Sequence, residues 1–161
     1  MSTNFLAAAG QPGMAVGSEV QMPVASSAKI YQYAHVCIQT SSGCIVRASD
    51  TSGLIYCGVS LQLADNTSGA AAAISAMVEA LDSQPFYFMP VAAGVTAPTA
   101  ATYVGEYVYL VDDNGSVVLA AGSTNKVIAG RCIQIVNTTG GLNSNGFLLV
   151  DRSDRGTLAS T

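Results

Sequence analysis

The sequence predicts a mainly β fold: a compact β-barrel or β-sandwich built of hairpins, with an extended N-terminal arm and at most one short helix. Three observations predict it. Residues 105–130, GEYVYLVDDNGSVVLAAGSTNKVIAG, read as strand, tight turn, strand, loop and strand. Short β-branched and aromatic runs bounded by Gly, Asn, Asp and Ser recur between Ile30 and Val150. Charged residues make up only 10% of the 161, against about 25% in ordinary soluble domains. Much of the surface is therefore expected to be covered by a partner rather than by water.

Residues 1–28 are rich in Ala, Gly, Ser and Pro, with widely spaced apolar residues that keep neither a helical nor a strand period, and read as an arm. From Ile30 to Ile38 the pattern IYQYAHVCI alternates as a strand. A Ser-Ser-Gly turn leads to Cys44–Val46, and a second turn cluster, Ser49–Gly53, leads to Leu54–Leu63. Three successive strands imply a meander. Between Ala70 and Leu81 two patterns compete. Ile74, Met77, Val78 and Leu81 follow a helical period, whereas Ile74, Ala76, Val78 and Ala80 alternate as a strand would, so this segment stays open.

Phe86–Met89 lies between Pro85 and Pro90, which limits it to a short or edge strand because proline has no N–H to donate, and its aromatics are expected in the core. Tyr107–Val111 and Val117–Ala120 flank Asp112, Asp113, Asn114 and Gly115, residues that tolerate positive φ, and form a hairpin. Tyr107 and Tyr109 would point to one face, Val108 and Leu110 to the other, so both faces need cover, one from the core and one from the core or a neighbouring protomer. Val127–Ile135 and Phe147–Val150 supply the last strands. The domain reading is an arm at 1–28, a β-domain at 29–151 and a polar tail at 152–161.

The chemistry that the sequence leaves out is as informative. Net charge is −4 and the four arginines and two lysines are scattered, so direct nucleic-acid binding through a basic stripe is not expected. No apolar run approaches the ~20 residues of a membrane span, and no charged segment precedes an apolar one as in a signal peptide. The spacings of Cys37, Cys44, Cys57 and Cys132 match no metal pattern. Cys37 and Cys44 could face each other across a hairpin, but reduced thiols are expected in a cytosol. His35, the one histidine, has no evident catalytic companion and reads as structural. Asp112 and Asp113 read as turn residues rather than a calcium site or an acid–base pair. No catalytic residue, metal or cofactor is expected.

Several segments taken in order carry a resemblance: GVSLQLADNTSGA from Gly58, PFYFMPVAAGV from Pro85, VGEYVYLVDDNGSVVL from Val104, then VIAGRCIQIV and a closing FLLVD. Over about residues 30–151 this succession resembles the capsid decoration, or cement, proteins of tailed phages. The resemblance implies a compact β domain, made in the host cytoplasm, that attaches to the outside of an HK97-type head after expansion and stabilises it. It further implies the major capsid protein as partner and self-association, as a trimer or in some relatives a dimer. It also implies an extended segment at Ala70–Leu81, which favours the strand there. On this reading Phe5, Leu6, Met14 and Val16 of the arm are candidate capsid anchors, and Tyr107 and Tyr109 candidate core or protomer contacts. The alternative is a small coat or head-fibre protein. A small β-fold enzyme stands behind both: Arg131–Gln134 is similar to one motif of the deoxyuridine triphosphatases, whose uridine and phosphate motifs have no counterpart here.

Overall fold

The computed structural model describes residues 19–81, 85–93, 98–136 and 146–154. Among the described residues the chain is mainly β, with antiparallel sheets, a short helix and a 3-10 turn. The described residues divide into two compact units. One holds residues 19–48 and 53–81, the other residues 49–52 and everything from Pro85 onward.

The first unit contains β1 (Glu19–Pro23), β2 (Ala28–Ile30), β3 (His35–Gln39), β4 (Ile45–Arg47), β5 (Leu54–Ser60), β6 (Ala64–Asn66) and β7 (Ser75–Ala80). Its main sheet runs β1-β7-β5-β3-β4, and β2 pairs with β6 as a separate ribbon. The core lies where Val36, Ile45, Ala76 and Val78 of the sheet meet Ile30 and Ala64 of the ribbon. Asn66 is buried among these apolar residues and donates from its amide nitrogen to the carbonyls of Ala25 and Ala70 at 2.9 and 2.8 Å, so its burial leaves no unmet polar group. Ser75–Ala80 lies within the Ala70–Leu81 segment whose period was ambiguous. Pairing with β1 on one side and β5 on the other makes it a strand, with Ala76 and Val78 facing the core.

The second unit contains β8 (Phe86–Pro90), α1 (Ala100–Tyr103), β9 (Tyr107–Leu110), β10 (Val117–Val118), a 3-10 turn at Ala120–Gly122, β11 (Ile128–Val136) and β12 (Phe147–Asp151). The strands form one sheet in the order β10-β9-β11-β12-β8. The β9–β10 hairpin closes as its residues dictate. The carboxylate of Asp112 accepts the N–H groups of Asn114 and Ser116, each at 3.0 Å, and Gly115 takes the positive φ that the turn requires. Val108, Leu110, Cys132, Leu148, Val150 and Met89 form the buried side of this sheet. A second carboxylate, Asp50, gathers residues 123–125: it accepts the N–H groups of Thr124 and Asn125, both at 2.7 Å, and the hydroxyl of Ser123 at 3.2 Å.

Several sequence readings differ from what forms. Ile30–Ile38 is two strands, not one. The chain turns at Tyr31–Ala34, where the Ala34 N–H returns to the Tyr31 carbonyl and Tyr33 adopts a φ of 65°. The expected meander is reordered, since β5 lies on the side of β3 away from β4. Cys37 is opposite Val46, so it does not face Cys44, and none of the four cysteines is in a disulfide. Residues 19–24, read as arm, are held by β-pairing, with Val24 wholly buried, because alternating Val20, Met22 and Val24 suit a strand laid along β7. At the other end Arg152, read as tail, is 0% exposed, with its guanidinium carbon 4.4 Å from the centre of the Tyr87 ring.

Candidate functional site

The outward face of the second sheet follows from register, because residues directly opposite on paired strands share a side. Phe88 is opposite Leu149, Pro90 opposite Phe147 and Phe86 opposite Asp151. Asp151 is in turn opposite Arg131, and Arg131 opposite Tyr107. Their strand neighbours Met89, Leu148, Val150, Cys132 and Val108 take the buried side. The face therefore presents Phe86, Phe88, Phe147, Leu149, Tyr107 and Tyr109. Three of the chain's four phenylalanines lie on it, whereas the covered side of the same sheet is mostly aliphatic.

The expectation that the Phe86–Met89 aromatics fill the core is overturned for two of them: Phe86 is 53% and Phe88 58% exposed. The alternation of a strand explains it. Met89 and Tyr87 point inward, which sends Phe86 and Phe88 out, and β8 lies at the edge of the sheet where no further strand covers them. Completing the burial of two half-exposed phenylalanines would contribute on the order of 1–2 kcal/mol each, more than the ~0–1 kcal/mol of an exposed ion pair. The hydrophobic term thus dominates anything that docks here.

Arg131 and Tyr107 on this face are paired within the chain. Arg131 donates from Nε to Asp154 at 2.6 Å, from Nη2 to the Tyr107 hydroxyl at 2.8 Å and from Nη1 to the Gly105 carbonyl at 3.0 Å. The Tyr107 hydroxyl donates to Asp154 at 2.9 Å, and the guanidinium carbon lies 4.6 Å from the centre of the Tyr107 ring. The hydrogen bonds to Tyr107 and Asp154 raise the pKa of Arg131 further, so the cation is permanent. A covering surface would meet the Arg131 guanidinium already paired with Asp154, which lowers the penalty for burying that cation. Tyr107 and Tyr109 are both half-buried, on the side opposite Val108 and Leu110 as alternation requires. Phe5, Leu6, Met14 and Val16 lie outside the described residues.

His35 is buried, sharing a 2.7 Å hydrogen bond with the Tyr56 hydroxyl and stacking on that ring. Burial pushes the Cys132 thiol up to about 11, far from a reactive thiolate. Among the described residues no group of three or more His, Cys, Asp or Glu is placed to hold a metal ion, and no helix is long and apolar enough to cross a membrane. The sequence reading missed the outward phenylalanines although FYFM carries the signal: its period of two puts Phe86 and Phe88 on one side and Tyr87 and Met89 on the other. Comparison with models of known protein families, with curated proteins and with solved structures finds no match.

Proposed function

We propose that this chain is a structural virion protein, a capsid decoration or cement protein that binds the outer surface of an HK97-type phage head and stabilises it after expansion. The observation that carries the reading is the outward aromatic face of the second sheet, which an isolated subunit leaves half in water. The resemblance over residues 30–151 and the low charge support it. The face serves contacts between protomers of a trimer, and the N-terminal arm, through Phe5, Leu6, Met14 and Val16, serves the major capsid protein. Many copies on one shell turn weak individual contacts into firm attachment. No catalysis is assigned to the chain.

The test is co-sedimentation of the purified protein with expanded, undecorated heads of its own phage. Saturable binding near one copy per capsid subunit is the expected result. A chain lacking residues 2–18 should bind with reduced occupancy; the deletion stops there because β1 begins at Glu19. Absence of binding, together with assembly of shells or fibres by the chain alone, would replace the reading with that of a coat or head-fibre protein.

A further inference from the structure

The main sheets of the two units share one topology. Taken in chain order, the first strand of each lies beside the fifth, the fifth beside the fourth, the fourth beside the second and the second beside the third: β1-β7-β5-β3-β4 in one, β8-β12-β11-β9-β10 in the other. In both, the residue after the first strand makes a parallel bridge to the third, Val24 to Ile45 and Val91 to Val117, which joins the two edges of the sheet. Met-Pro-Val-Ala occupies 22–25 and again 89–92, and it bonds alike each time. The Val24 and Val91 N–H groups donate to the carbonyls of Ile74 and Gly146 at 3.0 and 3.1 Å, and those of Ala25 and Ala92 to Ile45 and Val117, both at 3.0 Å.

The match continues residue by residue. Residues 31–62 align without a gap on 103–134, with Tyr31 on Tyr103, Val36 on Val108, Gly43 on Gly115, Gly58 on Gly130 and Gln62 on Gln134. Pairing partners correspond: Val36 with Gly58 and Val108 with Gly130, Cys37 with Tyr56 and Tyr109 with Ile128, Ile38 with Ile45 and Leu110 with Val117. The ladder shifts register at the same step in both, beside a glycine whose φ is 153° in one unit and 151° in the other. The turn before the second strand recurs too. Tyr33 and Gly105 have φ of 65° and 87°, and their N–H groups donate to the carbonyls of Ser60 and Cys132 at 2.7 and 2.8 Å. Sheets of like topology arise independently, but bulges and strained turns are features kept within families, so their coincidence at aligned positions marks common descent.

We propose that this chain is an internal duplication, two copies of one β unit whose surfaces have since diverged. The comparison separates frame from surface. Positions that both copies fill alike, among them the bulge glycines and the Met-Pro-Val-Ala segments, are what the unit needs in order to close. The outward phenylalanines are not among them: Phe86 and Phe88 stand where the first copy has Glu19 and Gln21, and Phe147 where it has Ser75. Glu19 and Gln21 hold their places in β1 without an aromatic ring, so the frame does not call for one. The aromatic face thus belongs to the second copy alone. On the function proposed above, on which this step rests, it is the surface by which that copy meets a neighbouring protomer.

Two full-length chimeras test the duplication. In one, residues 36–46 replace 108–118, which puts every side chain on its own side of the sheet; in the other, residues 37–47 replace them, a one-residue slip that turns each to the opposite face. Hydrogen exchange read by mass spectrometry on β11 and β12 is expected to show protection retained in the first and lost in the second. No difference between the two would overturn the duplication. A third chain, Phe86→Glu with Phe88→Gln, gives the second copy the residues of the first. It is expected to keep the protection of β11 and β12 and to shift toward monomer in sedimentation velocity. Loss of that protection would place the phenylalanines in the frame and overturn the separation of frame from surface. Protection retained with an unchanged distribution of species would overturn the assignment of this face to protomer contacts and leave the duplication standing.

Discussion

Asp50 illustrates how one side chain can organise a loop. Partial burial pushes its pKa up, but the N–H groups of Thr124 and Asn125 and the side chains of Ser123 and Asn125 push it down further, so the net shift is below the ordinary 3.8. A folded-state pKa below the unfolded one means that the contribution to stability is complete above the unfolded value and is lost as pH falls through the folded one. Asp50→Asn should therefore lower stability by about 1 kcal/mol near neutral pH. The difference from wild type should shrink as the pH drops below about 4. Urea denaturation of both proteins across that range checks it; a difference that stays constant with pH would mean that the carboxylate charge is not what holds residues 123–125. Nothing in the sequence around Asp50 announces this role, because its partners lie more than seventy residues away. Asp112, by contrast, was legible: the residues that it satisfies, Asn114 and Ser116, are its own neighbours.

At the scale of elements, the strands from Tyr107 onward form as their composition indicates, and the breaks that were missed have local causes. Ile30–Ile38 looks continuous because β-branched and aromatic residues persist through the turn, and a tyrosine stands where a turn usually announces itself with glycine. The order of β3, β4 and β5 was illegible for another reason: which edge of β3 a later strand joins is decided by packing on both faces, not by spacing. Glycine marks two places where strands come too close for a side chain. Gly58 and Gly130 both carry a positive φ, and a Cβ on either would run into the carbonyl oxygen of the neighbouring strand, at Glu79 and Asp151 respectively. Each also lies beside a register shift, so the glycine lets the bulged strand close on its neighbour. Gly130→Ala should cost about 2 kcal/mol or more, combining backbone strain with displacement of β12. Thermal unfolding measures it, and a loss below about 0.5 kcal/mol, the range of ordinary surface changes, would contradict the close-approach argument.

For the molecule as a whole, the distribution of aromatic residues carries more meaning than the fold class. The covered side of the second sheet is built mostly from valine, leucine, methionine and cysteine, with Tyr87 at its edge, while phenylalanines occupy the outward side. Composition alone could report that charge is scarce; it could not report which face the scarcity left bare. Replacing Phe86 and Phe88 together by serine should lower unfolding stability by only about 2–3 kcal/mol, the worth of the half of each ring already covered, while shifting the protein toward monomer in sedimentation velocity. An unchanged distribution of species would contradict the assignment of this face to protomer contacts. The central claim is that the chain decorates a phage head, and cryo-electron microscopy of expanded heads saturated with the protein tests it most directly. The account predicts ordered density outside the shell, repeated at its three-fold or quasi-three-fold positions. A reconstruction of the bare shell, with no density added at saturating protein, would contradict it.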